Sequence, residues 1–204
     1  VLTQYSNQPS VTAFEQKLQN LGINVYRHYP IENYPLDVQL IEGGLMSSYL
    51  HGLEVGSELE FCGPFGDMTV DVPKTEEENK TLILVAGGVG LAPMRSIVSD
   101  LINSGFKGKL ILLHGVRSRR YLYCEDEFRS LMKKCHEFEY IPVLAEPLLE
   151  DGWVGETGFV TETLNKWLDS KKLTLSCVEA FLCGPSAMME AASKVLIEKG
   201  VSDD

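Results

Sequence analysis

Beyond residue 80 the chain alternates short apolar runs with segments of helical period. Thr81-Leu82-Ile83-Leu84-Val85-Ala86 is apolar with no polar alternation, the pattern of a strand covered on both faces in a parallel sheet. Gly87, Gly88 and Gly90 follow at once, and Met94 to Ile102 then carries apolar residues at helical spacing. The alternation continues with a helix over about 93–104, a strand over 109–114, a helix over 125–135 and a strand over 140–144. After a long loop come a helix over 160–168, a strand over 179–183 and a helix over 186–199. This order predicts an α/β domain with a parallel sheet, whose ligands sit at the carboxyl ends of the strands.

Upstream the pattern changes. Ser10, then Val11, Phe14, Leu18 and Leu21, closed by Gly22, predicts a short amphipathic helix to which no chemistry is assigned. Residues 53–68 show strand-like alternation around Gly56-Ser57 and end in a Cys-Gly-Pro-Phe-Gly turn, so RHYPIENYP (27–35), GGLMSSYL (43–50) and this stretch are expected to be pieces of an antiparallel β-domain. Residues 73–80, PKTEEENK, form a polar hinge. The expected organisation is one domain over 1–73 and a second over 74–204.

Composition narrows the classes. A chain of 204 residues with 44% hydrophobic content has enough material for a proper core. No apolar run approaches the roughly 20 residues of a membrane span, and the N-terminal residues show no signal-peptide pattern, so a soluble globular protein is expected. The net charge of -11 would repel nucleic acid and anionic lipid, which argues against partners of either kind. Five cysteines (Cys62, Cys124, Cys135, Cys177, Cys183), an odd number in a chain too large to need staples, point to reduced thiols in a cytoplasmic setting, and none are paired as C-x-x-C. Their spacing is that of neither a structural zinc site nor an iron–sulfur cluster held by this chain alone; no metal ligand is assigned.

Candidate chemistry begins at the glycine turn. Glycine admits positive φ and lets a ligand approach the main chain, and the first-turn N–H groups of the following helix would point at whatever lies over the turn. A pyrophosphate fits such a place. The spacing is not G-x-G-x-x-G and the turn lacks the lysine of a P-loop, so a tight strand-to-helix turn without a ligand is the competing reading. A second candidate is Arg117-Ser118-Arg119-Arg120, after the strand over 109–114, where three cations in an acidic protein suit an anionic nucleotide; a solvated loop is the alternative. The third is Cys183 with Gly184 and Pro185, at a strand's carboxyl end and at the start of a helix. Alone, such a cysteine is more often a small buried hydrophobe. The four histidines, His28, His51, His114 and His136, are scattered and are read as structural.

Taken whole, GGVGLAPMRS resembles the nicotinamide-nucleotide turn of the ferredoxin-NADP reductase superfamily. Arg-x-Tyr-Pro at 27–30, Gly-Leu-Met-Ser at 44–47 and Gly-Pro-Phe-Gly at 63–66 occur in the order of that superfamily's flavin barrel. With NYP at 33–35, Glu125-Asp126 before Phe128, and the loop from Glu150 to Val160, the chain is similar to the branch that contains the F component of the sodium-pumping NADH:quinone oxidoreductases and the oxygenase reductases, over residues 27–35 and 43–201. The resemblance implies that Arg27 pairs with FAD phosphate, that Tyr29 packs on the isoalloxazine ring, and that Gly44, Leu45, Met46, Ser47 and Ser48 offer backbone N–H groups to the pyrophosphate. Pro30 stands where the family has Ser or Thr, which puts a hydrogen bond to flavin N5 from that position in doubt. Gly87, Gly88, Gly90 and Pro93 would hold the pyrophosphate of NADH, Arg117 and Arg119 its adenosine end. Arg119 or Arg120 could pair with a 2′-phosphate, and NADPH stays open as a donor. Cys183, Gly184, Pro185 and Met188 would line the nicotinamide pocket, with Cys183 positioning donor and acceptor rather than acting as a nucleophile.

The resemblance therefore implies a flavin-dependent NADH oxidoreductase that passes a hydride from NADH to FAD and then single electrons to an acceptor, a [2Fe-2S] domain or subunit or a quinone-linked centre. Two alternatives stand beside it: a flavin-free nucleotide-binding electron-transfer subunit, and a reductase of free flavin. A six-stranded barrel needs roughly 60–80 residues, more than 1–73 can supply if part of it is helical. Either the flavin domain is shortened or the natural chain has further segments, which would also carry the cluster and any attachment to a membrane complex.

Overall fold

The computed structural model describes residues 37–54, 56–58, 70, 80–171 and 174–202. The chain divides into two compact units, Val1–Met68 and Thr69–Asp204.

The second unit is built on a parallel sheet. Its strands are β1 (Thr81–Gly87), β2 (Lys109–Val116), β3 (Phe138–Leu144), β4 (Glu156–Thr157) and β5 (Val178–Cys183), in the spatial order β4-β3-β2-β1-β5. All pairings are parallel, and Ala86 of β1 lies opposite both His114 of β2 and Cys183 of β5. The chain steps outward from β1 through β2 and β3 on one side and returns to β5 on the other. The point where strand order reverses, between β1 and β5, is where an open α/β sheet leaves a crevice for a ligand.

Every residue of β1 is buried, as its unbroken apolar run requires. Alternate residues point to opposite faces. Leu82, Leu84, Ala86, Leu110, Leu112 and Tyr140 belong to one core with Leu91, Met94, Val98 and Leu101 of the helix Leu91–Asn103, and with Phe128 of the helix Glu125–Lys134. Ile83, Val85, Ile111, Leu113 and Val143 form the other core with Val160, Leu164 and Trp167 of the helix Val160–Ser170, and with Ala192 and Leu196 of the helix Ser186–Lys199. In chain order these helices are α2 (Leu91–Asn103), α3 (Glu125–Lys134), α4 (Val160–Ser170) and α5 (Ser186–Lys199). The α/β architecture expected from the sequence is present, with the α5 bounds as expected. The long loop after β3 differs in containing β4, a two-residue strand held by Val143 and Leu144.

Local chemistry fixes the helix ends. α3 carries Glu125, Asp126 and Glu127 in its first turn and Lys133 and Lys134 in its last, each charge at the end of the dipole that favours it. α5 closes on Gly200 at φ 96, the left-handed position glycine takes without a Cβ penalty. Arg95 of α2 grips Glu127 of α3, with Nε 3.0 and 3.1 Å from the two carboxylate oxygens and a terminal guanidinium nitrogen at 2.8 Å.

In the first unit the helix α1 (Leu45–His51) begins immediately after Gly44. This corrects the expectation that GGLMSSYL is a turn within a β-domain. Gly44 is extended (φ -74, ψ 117), its carbonyl accepts the Ser48 N–H at 3.0 Å, and the backbone winds from there into nearly two turns of helix. The segments expected to form the rest of the flavin barrel, including Arg27, Tyr29, Pro30 and 63–66, lie outside the described residues.

Candidate functional site

Two turns meet at the reversal point of the sheet. The first leaves β1 at Gly87, makes one 3-10 turn over Gly88–Gly90 and enters α2 at Leu91. Gly88 sits at φ 55, a conformation that disfavours a side chain. The second leaves β5 at Cys183, passes through Gly184 at φ 154 and enters α5 after Pro185. The two are in direct backbone contact: a Cβ on Gly184 would lie 2.9 Å from both the N and the Cα of Gly87, and one on Gly90 would lie 2.8 Å from Gly184 N and closer to the Cys183 carbonyl. A Cβ on Gly87 would meet Met188 Sδ at 2.6 Å and Pro185 Cδ at 2.8 Å. Thus Gly87, Gly88, Gly90, Cys183, Gly184, Pro185 and Met188 are brought to one place, with Pro93 in the first turn of α2, where its missing N–H breaks no helical bond.

This cluster suits a dinucleotide. Three interlocked glycines bring two strand ends together with no side chain between them, and the opening amides of the 13-residue α2 are those an anion would meet. Cys183 is partly exposed and carries a free thiol. An open apolar groove of about 610 Å³ between β5 and α5, lined by Leu182, Met189, Ser193 and Ile197, shares no residue with the cluster.

At the carboxyl end of β2 each arginine has a partner. Arg117 Nε donates to Glu146 at 2.9 Å. Arg119 pairs with Glu125 at 2.9 Å and lies over the Trp153 ring, 5.2 Å from its centroid. Arg120 lies over Tyr121, 4.6 Å from its centroid. The arginine cluster expected to receive an anion is thus already neutralised in part by Glu125 and Glu146.

The residues expected to hold the FAD pyrophosphate sit at the start of α1. Leu45 and Met46 are 90% and 68% exposed, so the start of the helix lies at the surface, and its first amides have no partner within the helix. The Ser47 hydroxyl is taken up locally: its Oγ accepts the Ile41 N–H at 3.1 Å and donates to the Gly44 carbonyl at 3.3 Å. Ser48 is exposed and its N–H is bound to Gly44. These positions fit a phosphate through backbone N–H groups rather than through hydroxyls.

One buried polar residue was not assigned to the site from sequence. His114 is fully buried on β2. Its Nε2 lies 3.3 Å from the Gly88 carbonyl oxygen, and its Nδ1 lies 3.4 Å from the Tyr140 hydroxyl. Tyr123 packs edge-on at 5.7 Å. Burial lowers the imidazole pKa to about 4, outweighing the bond to Gly88, which raises it, and burial likewise raises the Tyr140 hydroxyl. A lone histidine ending the apolar run KLILLHGV gives one signal, a polar group where the strand meets the site.

No described helix is long and apolar enough to cross a membrane. Among the described residues no group of three or more His, Cys, Asp and Glu is arranged to hold a metal ion.

Comparison with known proteins gives the family of the chain. The family profile described as "Oxidoreductase NAD-binding domain" matches residues 84–194. A second, the N-terminal part of a domain of unknown function (DUF1846), matches residues 1–47. The chain is 34% identical over 180 residues to the phenol hydroxylase P5 protein of Acinetobacter pittii, covering 84% of this chain and 49% of that one. It is 32% identical over 196 residues to the F component of the Na(+)-translocating NADH-quinone reductase of Serratia proteamaculans, covering 87% and 47%. Among solved structures, the cytochrome P450 reductase GcoB of Amycolatopsis superposes with a TM-score of 0.71 at 28% identity, over 81% of this chain and 48% of that one. The chain spans about half the length of these relatives.

Proposed function

The chain belongs to the ferredoxin reductase family through its oxidoreductase NAD-binding domain, and from that premise we propose that it is the NADH-oxidising part of a flavin-dependent reductase. The observation that carries this reading is the interlocking of the turns after β1 and β5, which sets amides for a pyrophosphate beside a thiol at the end of the neighbouring strand. Bound together, NADH supplies a hydride and FAD accepts it and releases the electrons one at a time.

The chain's own contribution is placement. The Gly87–Gly90 turn holds the dinucleotide through main-chain N–H groups and the α2 dipole, while Pro93, which has no N–H, shapes the first turn of the helix. Gly184 and Pro185 keep Cys183 at the edge of the crevice, where its side chain lines the nicotinamide position without acting as a nucleophile. The amides opening α1 serve the FAD phosphate, with Arg27 as the cation and Tyr29 as the aromatic face. NADH is the expected donor, because a 2′-phosphate would have to compete with Glu146 for Arg117 and with Glu125 for Arg119. The acceptor is a one-electron centre of iron–sulfur type or one linked to a quinone, on another segment or subunit, and the module works in the cytoplasm or on that face of a membrane complex.

The family profile that matches residues 1–47 overlaps Arg27, Tyr29 and Gly44 to Ser47 and is one of unknown function, so beside the reductase stands a second reading in which the chain binds nucleotide without flavin. Anaerobic absorption spectra separate the two. FAD that is retained on the purified chain and bleached by stoichiometric NADH supports the reductase; a chain that takes up no FAD contradicts it.

A further inference from the structure

We propose that His114 is a positioning residue of the nucleotide site: its Nε2–H holds the Gly88 carbonyl so that the Val89 amide, on the opposite edge of the same peptide, faces the dinucleotide pyrophosphate. The inference rests on the nucleotide reading above and assigns the buried histidine a part in it.

Donor and acceptor chemistry fixes the direction of each bond. A main-chain carbonyl only accepts, so the contact at 3.3 Å requires the proton on Nε2. In a neutral ring Nδ1 is then an acceptor, and the Tyr140 hydroxyl donates to it at 3.4 Å. The relay Tyr140 O–H to His114 to Gly88 C=O runs from β3 through β2 to the turn after β1, along strands held in parallel register. The Gly88 carbonyl also accepts the Leu91 N–H, so both of its lone pairs are used and its orientation is set from two sides.

A trans peptide places C=O and the next N–H on opposite edges of one plane. Once the Gly88 carbonyl turns inward to His114, the Val89 N–H must turn away from the core. Val89 is 38% exposed, so the residue that carries this amide lies at the surface of the unit. Gly88 at φ 55 is the one residue of the turn with positive φ, and without an anchor its peptide would flip at little steric cost. Burial keeps the ring uncharged, which preserves Nδ1 as the acceptor for the Tyr140 O–H while Nε2–H serves the Gly88 carbonyl.

The test uses the whole 204-residue chain with ADP-ribose as probe and NADH as substrate. His114→Leu should bind ADP-ribose about tenfold more weakly, the effect of one buried hydrogen bond. The KM for NADH should rise with it while kcat changes little, because an amide that grips the pyrophosphate alike throughout the reaction adds uniform binding. His114→Gln, whose side-chain N–H reaches the Nε2 position, should recover most of the affinity. Equal binding by His114→Leu and the unaltered chain, or a glutamine variant as weak as the leucine one, would overturn the proposal. Should either variant fail to fold, imidazole nitrogen NMR on the unaltered chain decides: a neutral ring protonated at Nε2 whose signals move on adding ADP-ribose supports the role, and an Nδ1–H ring or unmoved signals refute it. An unaltered chain that binds no ADP-ribose overturns the nucleotide reading and this inference together, whereas binding unaffected by His114→Leu overturns the inference alone.

Discussion

Gly90 packs its backbone directly against that of Cys183: a Cβ on Gly90 would lie 2.5 Å from the Cys183 carbonyl carbon and nearer still to its oxygen. The two belong to different strand ends, and the obstacle is main chain, which cannot swing aside as a side chain can. Gly90→Ala should therefore cost about 1–3 kcal/mol of stability, the usual range for overpacking. It should also weaken NAD+ binding, because the two turns must separate. Thermal unfolding and an NAD+ titration on the same variant check both effects; wild-type values in both would contradict the close packing.

Cys183 ends β5 opposite Ala86 and is partly exposed at the crevice. If it lines the transfer position, Cys183→Ala should slow flavin reduction by NADH about tenfold or more, through loss of reactant alignment. NAD+ affinity should stay within about threefold, since the pyrophosphate is held elsewhere. Stopped-flow reduction with saturating NADH reads the rate directly. An unchanged rate would leave Cys183 as ordinary packing.

His114 should make stability depend on acidity. Its folded pKa is about 4 against an unfolded value of 6.5, so the unfolded chain takes up the proton first as pH falls. Its contribution is complete above pH 6.5 and is progressively lost down to about pH 4, by about 3 kcal/mol. Of the groups facing the ring, the Tyr140 hydroxyl from β3 is raised by burial and stays uncharged throughout that window, and Tyr123 ahead of α3 packs edge-on against it. Denaturant titrations of the wild type and His114→Gln should give stabilities whose difference shifts against the wild type by this amount between pH 7 and pH 4. A constant difference would mean that the ring titrates as it does in water.

The Arg95–Glu127 grip joins α2, which enters from the nucleotide turn, to α3, with side chains 28% and 34% exposed. Glu127→Gln should cost about 1 kcal/mol, the upper end for a partly exposed pair with two-point geometry, and less in high salt. Urea unfolding at two salt concentrations measures it.

Much of the second unit was legible because its signals are local. The apolar run from Thr81 to Ala86 is long enough to identify a buried strand, and Pro185 and Gly200 bracket α5. The Gly87–Gly90 turn declared itself by composition. α1 was missed because LMSSYLH has an exposed, mixed surface and Gly44 offers no side-chain cap. β4 escaped because two exposed polar residues have no period to detect. The place of His114 was hidden for another reason. Its partners Gly88 and Tyr140 each lie 26 residues away in the chain, and only the sheet register sets them beside the ring.

The most direct test of the central claim, that the dinucleotide binds where the turns after β1 and β5 interlock, is a calorimetric titration of NAD+ into the wild type and into Gly184→Val. A side chain at Gly184 would strike the Gly87 backbone at 2.9 Å, at a φ of 154 that β-branched residues do not adopt. The wild type should show saturable one-to-one binding and the variant none measurable, with the rest of the α/β unit still folded by circular dichroism. Equal affinity of the two proteins, with the variant folded, would contradict it.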